Sequence, residues 1–192
     1  GSPVVRGFEA SRVLLMVDGV RMNSAIFRAG HLQNIITVDN MILDRVEIIY
    51  GPSSTLFGSD ALGGVVNLFT KQPQLFKSNL VSKKAPWKTN GNLVYRFGNG
   101  QNEQRQHVDL NIANNRWAFL TSVTKSNFGD MRQGNKRSAA YPDFGKRLFY
   151  VARENNTDVI KDNSAFVNIQ KLSGYNQIDL LQKVLFKPND NT

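Results

Sequence analysis

The side chains that could do chemistry are few and scattered. Two histidines, His31 and His107, stand far apart in the chain, and there is no cysteine, so neither histidine has the nearby second ligand that a bound metal needs. Asp18 is a lone acid in front of Gly19, a pair whose local chemistry is that of a tight turn. Asp39 and Asp44 lack the regular spacing of a calcium loop. No Ser/His/Asp constellation and no paired-carboxylate site stands out. The glycines of Tyr50–Lys71 are dense: Gly51, Gly58, Gly63 and Gly64, with Pro52, fall within 14 residues. Yet neither GxxxxGK[ST] nor GxGxxG is present, so they cradle no phosphate. The residues point to geometry, and the chain reads as a non-enzyme without cofactor or metal.

The elements around those glycines are strands. Residues 43–50 (LDRVEIIY) alternate before closing apolar, and residues 65–69 form a short, mostly apolar β-branched run. Between them Ser53 and Ser54 can cap one helical turn behind Pro52. Gly58 ends that turn, and Gly63–Gly64 lets the backbone swing into the next strand. Upstream, residues 3–5 are strand-like, residues 6–9 turn, and residues 13–17 read as a buried strand ending at Asp18-Gly19.

These motifs resemble the plug domain of TonB-dependent outer-membrane receptors. The matching positions are Arg6-Gly7-Phe8, the run through Asp18-Gly19-Val20-Arg21, Arg45-Val46-Glu47-Ile48, Gly51-Pro52, Gly58-Ser59, Ala61-Leu62-Gly63-Gly64-Val65 and Thr70-Lys71. In one respect the chain departs: many members carry Arg where Tyr50 stands, so a charged lock between plug and barrel is not expected at that position. The resemblance implies that Arg6, Gly7, Asp18, Gly19, Glu47, Gly51, Pro52, Gly58, Gly63 and Gly64 are structural plug positions. It also implies that residues 23–34 form an apex facing an extracellular ligand pocket, which makes Asn23, Phe27, Arg28 and His31 the candidate ligand contacts. His31 tempts as a haem ligand, but a single histidine without a partner reads as structural. The wording of residues 3–36 leans to the haem and haemoglobin branch over the siderophore receptors.

Composition changes at residue 72. Residues 72–91 hold prolines and lysines, no acid and no hydrophobic period, which reads as a linker. Residues 1–71 balance six basic against six acidic groups, whereas residues 72–192 carry 18 against nine and so the whole net charge of +9. Those basic groups scatter through loops and strand ends without a nucleic-acid motif, so no nucleic acid is expected; an anionic membrane surface suits them better.

From residue 92 the sequence alternates. Leu93, Tyr95 and Phe97 oppose Val94 and Arg96. Val108, Leu110 and Ile112 oppose Arg105, His107, Asp109 and Asn111. Trp117, Phe119 and Val123 oppose Ala118, Leu120, Ser122 and Thr124, and Ile178, Leu180, Val184 and Phe186 oppose Gln177, Asp179 and Lys183. Such strands of ~9–11 residues cross a bilayer when tilted. Turns are expected at 98–100, 114–115 and 188–191, with one long, basic and aromatic surface loop at 129–174 lacking clear secondary structure.

The expected fold class is therefore an α+β plug segment, a small mixed sheet with short helices, followed by antiparallel transmembrane β-barrel strands. The expected domains are residues 1–71 (plug, C-terminal part), 72–91 (linker) and 92–192 (four barrel strands). Family barrels have about 22 strands, so four make an incomplete barrel, and the chain reads as a fragment with its TonB-contacting segment and signal peptide upstream. The implied protein sits in the Gram-negative cell outer membrane and imports a scarce nutrient, an iron chelate (iron-siderophore), haem or similar ligand. Its partners are TonB and outer-membrane lipid. The competing reading is a soluble or surface β-rich binding module that recognises a ligand through 129–174. Period alone does not separate the two, because a soluble sheet with one wet face alternates in the same way.

Overall fold

The computed structural model describes residues 4–8, 12–22, 38–51, 54–76 and 86–188. The chain divides into two compact units, one of residues 1–91, 109–122 and 179–192, the other of residues 92–108 and 123–178.

In the first unit β1 (Val13–Val17) turns at once into β2 (Val20–Arg21). Asp18 and Gly19 take φ of 48° and 82°, the left-handed pair of a two-residue hairpin turn, so Val17 pairs with Val20. Arg6 and Gly7 repeat the device at 48° and 83°, closing Val5 on Phe8 through two 2.9 Å backbone bonds. A 3-10 turn at Asn40–Ile42, capped by Asp39 through the Met41 N–H at 3.1 Å, leads into β3 (Leu43–Tyr50). Then come α1 (Ser54–Phe57), which Gly58 follows at φ 82°, a second 3-10 turn at Ser59–Ala61, and β4 (Gly64–Thr70). Pro52 and Ser53 lie outside the described residues.

The four strands form a mixed sheet in the order β2-β1-β4-β3, with β1 and β4 parallel and the outer pairs antiparallel. Val13, Leu15, Val66 and Leu68 pack with Val5 on one face; Leu14, Met16 and Val65 pack with Ala61 on the other. Both faces of the central pair are thus covered, which explains why VLLMV is a continuous apolar run and VVNLF one broken only by the half-buried Asn67. Each such side chain contributes about 1.5–3 kcal/mol of burial. The edge strand β3 is exposed along nearly its whole length, and the Tyr50 ring at its end carries the Arg6 guanidinium at 5.3 Å.

A second sheet has the order β12-β7-β6-β5, built from β5 (Lys88–Gly98), β6 (Glu103–Ala113), β7 (Trp117–Phe128) and β12 (Tyr175–Phe186). The β6–β7 turn closes with the Asn114 N–H on the Trp117 carbonyl at 2.8 Å, while the Asn114 side chain accepts from the Arg116 and Trp117 N–H groups. No helix among the described residues is long and apolar enough to cross a membrane, a statement that does not touch strands.

The connection at 129–174, expected without secondary structure, is built. It holds β8 (Met131–Arg132) paired with β11 (Ile169–Gln170), and a hairpin of β9 (Phe149–Glu154) and β10 (Thr157–Asp162). The hairpin turns on Asn155 and Asn156, at φ 48° and 64°, a left-handed pair that asparagine tolerates. Its strands are exposed on both faces, so no hydrophobic alternation announces them. Asn163 organises the rest. It is 3% exposed, and its amide donates to the Arg147, Phe166 and Ile169 carbonyls at 2.8, 3.1 and 3.0 Å. Asn163→Asp sets a carboxylate against three carbonyl oxygens, so a loss of about 2–3 kcal/mol in local stability is expected, seen as accelerated protease cleavage within 145–170. Unchanged cleavage would show that the amide does not hold the segment.

Candidate functional site

The densest polar constellation of the first unit surrounds the end of β4. Thr70 is 2% exposed. The Asp18 carboxylate, presented by the β1–β2 turn, accepts from the Thr70 N–H at 2.9 Å and the Thr70 hydroxyl at 2.6 Å. The same carboxylate takes the Lys183 ammonium of β12 at 2.9 Å. Partial burial by itself would raise the Asp18 pKa, but the Thr70 and Lys183 hydrogen bonds and the lysine charge outweigh it and hold the carboxyl below its ordinary value. Next along the chain, the Lys71 ammonium meets Asp109 of β6 at 2.8 Å, with the Asp109 side chain only 7% exposed.

The segment that follows is tied down in register with β6. Gln74 exchanges two bonds with the Asn111 side chain: its N–H reaches Oδ1 at 3.0 Å, and its carbonyl receives Nδ2 at 2.8 Å. The Phe76 N–H reaches the Asn114 carbonyl at 3.2 Å. Asn111 therefore serves as a short stretch of strand edge, offering one acceptor and one donor to a passing backbone.

The strands carrying these groups are inverted relative to a soluble sheet. On β6 and β7 most of the buried side chains are polar: His107, Asp109, Ser122, Thr124 and Ser126 are each at most 5% exposed, beside Ala113, Ala118 and Leu120, with His107 Nδ1 2.7 Å from the Thr124 hydroxyl. The other face is apolar and open, with Leu93 at 79% and Ile178 and Leu180 both at 73% exposure. At one end of that face the rings of Trp117 and Phe186 stack at 4.1 Å, and Phe119 lies 6.0 Å from both Trp117 and Trp87.

Of the sequence-derived candidates, Asn23, Phe27, Arg28 and His31 lie outside the described residues. Arg6, Gly7, Asp18, Gly19 and Gly58 stand at turns with positive φ, as does Gly51 at 92°. Glu47 pairs with Arg45 at 2.8 Å on exposed β3. Gly63, expected to swing the chain, has a different role: a Cβ there would lie 2.3 Å from the Phe8 Cβ, so its bareness admits Phe8. Lys183, Asp109 and Asn111 were not singled out as junction partners. Their signal was the charge and amide content of strand positions that alternation assigns to one face. Among the described residues no three His, Cys, Asp or Glu side chains gather as a metal site. The arrangement fastens the end of β4 to the β1–β2 turn and to β12.

Residues 1–65 match the family described as the TonB-dependent receptor plug domain. Over 104 residues, 52% of this chain, the sequence is 40% identical to the vitamin B12 transporter BtuB of Vibrio vulnificus (strain CMCP6). Over these residues the chain is similar to the TonB-dependent receptors. Its place is the Gram-negative outer membrane. The matched part is 16% of the length of the Vibrio transporter. Among solved structures, the copper transporter OprC superposes with a TM-score of 0.50 at 19% identity, covering 71% of this chain and 20% of that one. That likeness is one of fold. The ferric enterobactin receptor PfeA of Pseudomonas aeruginosa gives a TM-score of 0.46 at 20% identity, over 72% of this chain and 21% of its own. The family match takes in β1, β2, β3 and the first two residues of β4, and the Asp18 and Lys71 ties lead out from that sheet.

Proposed function

We propose that this chain is the later part of the plug and the first four barrel strands of a receptor that imports a scarce nutrient with energy from the TonB complex. The nutrient class is a ferric chelate, haem or a cobalamin. In this reading residues 1–71 are plug, 72–91 the connection, and 92–192 barrel strands whose 129–174 segment faces outward. Asn23, Phe27, Arg28 and His31 contact the ligand at the plug apex.

The observation that carries the reading is the inverted polarity of the second sheet. A soluble module would bury Val108, Leu110 and Ile112 and wet Asp109; here these three are at least 40% exposed and Asp109 is 5% exposed. An apolar outer face, a polar inner face and aromatic rings at one rim are what a lipid-spanning strand requires. The outer face meets lipid, and the inner face meets the plug and water.

The test is uptake by cells lacking only the gene for the full receptor. Labelled ferric siderophore, haem and cyanocobalamin are offered with and without a working TonB. Uptake of one of them, restored by the gene and lost without TonB, is expected, and Arg28→Ala or His31→Ala should weaken its binding about tenfold if they touch it. Restoration of none, together with release of the protein from membranes by alkaline carbonate, would sink the proposal.

A further inference from the structure

The second unit holds a hollow that neither the plug motif nor the strand pattern explains. It measures about 360 Å³ and is lined by Arg132, Gln133, Asn135, Phe166 and Asn168, with Ile169 in its apolar wall. That volume is at the small end of ligand pockets. Its walls are fixed from behind: Asn163 holds the Ser164–Phe166 turn, the β8–β11 pairing holds Arg132 opposite Ile169, and the Gln133 N–H donates to the Asn168 carbonyl at 2.8 Å. The polar side chains are fixed as well. Arg137 donates to the Phe144 carbonyl at 2.9 Å and to the Asn168 side chain, Asn168 donates in turn to Asn135, and Gln133 reaches the Phe144 carbonyl at 3.0 Å.

The charge of this hollow is unbalanced. No carboxylate lines it. The Arg132 guanidinium makes no hydrogen bond or ion pair among the described residues, and Arg137 donates to two neutral oxygens. Four of the five acids of 129–174 have partners outside the hollow: Asp143 with Lys146, Glu154 with Lys161, Asp162 with Ser164, and Asp130 with the Ser173 and Gly174 N–H groups; the fifth, Asp158, lies across from Arg153 on the exposed β9–β10 hairpin. An uncancelled guanidinium fork beside fixed amides and one ring suits an oxyanion on a hydroxylated body.

We propose that this hollow binds the acidic group of a saccharide, with Arg132 on the oxyanion, Asn135 and Asn168 on hydroxyl groups and Phe166 against the sugar face. The acidic saccharide is either a soluble sugar acid or sugar phosphate, or the headgroup of a glycolipid in the leaflet around the receptor. The proposal does not depend on which nutrient is imported, and uptake plays no part in its test.

The test is calorimetric titration of the full receptor in neutral detergent with glucose 6-phosphate, inorganic phosphate and glucose, repeated on Arg132→Gln and Asn168→Ala. A second arm measures co-sedimentation with phosphatidylcholine vesicles with and without a phosphorylated glucosamine lipid. The expected result is saturable binding of glucose 6-phosphate tighter than of phosphate or glucose, weakened about tenfold or more by Arg132→Gln and weakened by added salt. Saturable binding only of the lipid-bearing vesicles, lost in Arg132→Gln, assigns the headgroup as the source. Absence of saturable binding in both arms, or equal binding by Arg132→Gln, overturns the proposal. Arg132 is exposed, so its replacement leaves the fold intact, as matching proteolysis patterns would show.

Discussion

Gly64→Ala is expected to break the plug sheet at the start of β4 and to speed hydrogen exchange along β4 about a hundredfold. Two independent costs combine. Gly64 sits at φ 148°, where only glycine is comfortable, and residues forced there lose about 1–3 kcal/mol. A Cβ would also lie 2.5 Å from the Ile49 carbonyl oxygen. That atom is backbone of the paired strand β3 and cannot rotate away, which adds an overpacking cost of about 1–3 kcal/mol. Together they amount to about 3 kcal/mol or more, near the upper end of single-residue effects. Gly19→Ala is the control. It too has a positive φ, 82°, but nothing lies within 4 Å of its added Cβ, so only the left-handed strain of about 1–2 kcal/mol applies. If exchange along β4 rises no more in Gly64→Ala than in Gly19→Ala, the close approach of β3 is not what fixes glycine there.

Asp18→Asn is expected to cost about 3 kcal/mol at neutral pH. The amide can still accept the Thr70 N–H, but its NH₂ end then faces the Lys183 ammonium, and the buried Thr70 hydroxyl loses a charged acceptor. The effect depends on pH with a definite sign. The folded carboxyl titrates below its ordinary value, so its contribution is complete above the unfolded pKa of about 4. It is lost as pH falls through the lowered folded value. Wild type and Asp18→Asn should therefore differ most at pH 7 and converge as pH drops below about 4. The measurement is exchange at the Thr70 amide at pH 7 and in the acid range. A difference that persists undiminished in acid would mean that geometry, not charge, makes Asp18 matter.

Much of this was legible in the residues themselves. VLLMV and VVNLF read as strands because a parallel pair covered on both faces leaves few polar positions, here only the half-buried Asn67. Asp18-Gly19 read as a turn because Asp and Gly are among the residues that take left-handed φ most readily. The strands read from their period only from residue 92, whereas β5 already opens at Lys88 within the expected linker. The period did not give their polarity: Asp109 on one face and Leu110 on the other fit a wet surface or a membrane equally well, and burial had to decide. Contacts across the sequence were not legible at all. Asp18 and Lys183 stand 165 positions apart, and nothing local in either announces the other. The β9–β10 hairpin escaped because its side chains are exposed on both faces. Asn163 escaped because a buried asparagine satisfying three carbonyls looks, in sequence, like any loop asparagine.

The ring cluster at the rim of the second sheet carries a consequence for how the molecule can be watched. The chain has two tryptophans, Trp87 and Trp117, and both adjoin Phe119 in that cluster. Intrinsic fluorescence therefore reports on one place, the hem of the outer strands. The strands β1 and β4 contain no tryptophan, so in this chain they could come apart without dimming the signal, and a smooth emission curve would describe the second sheet while remaining blind to the first. A tryptophan placed at exposed Tyr50 would give the plug a reporter of its own.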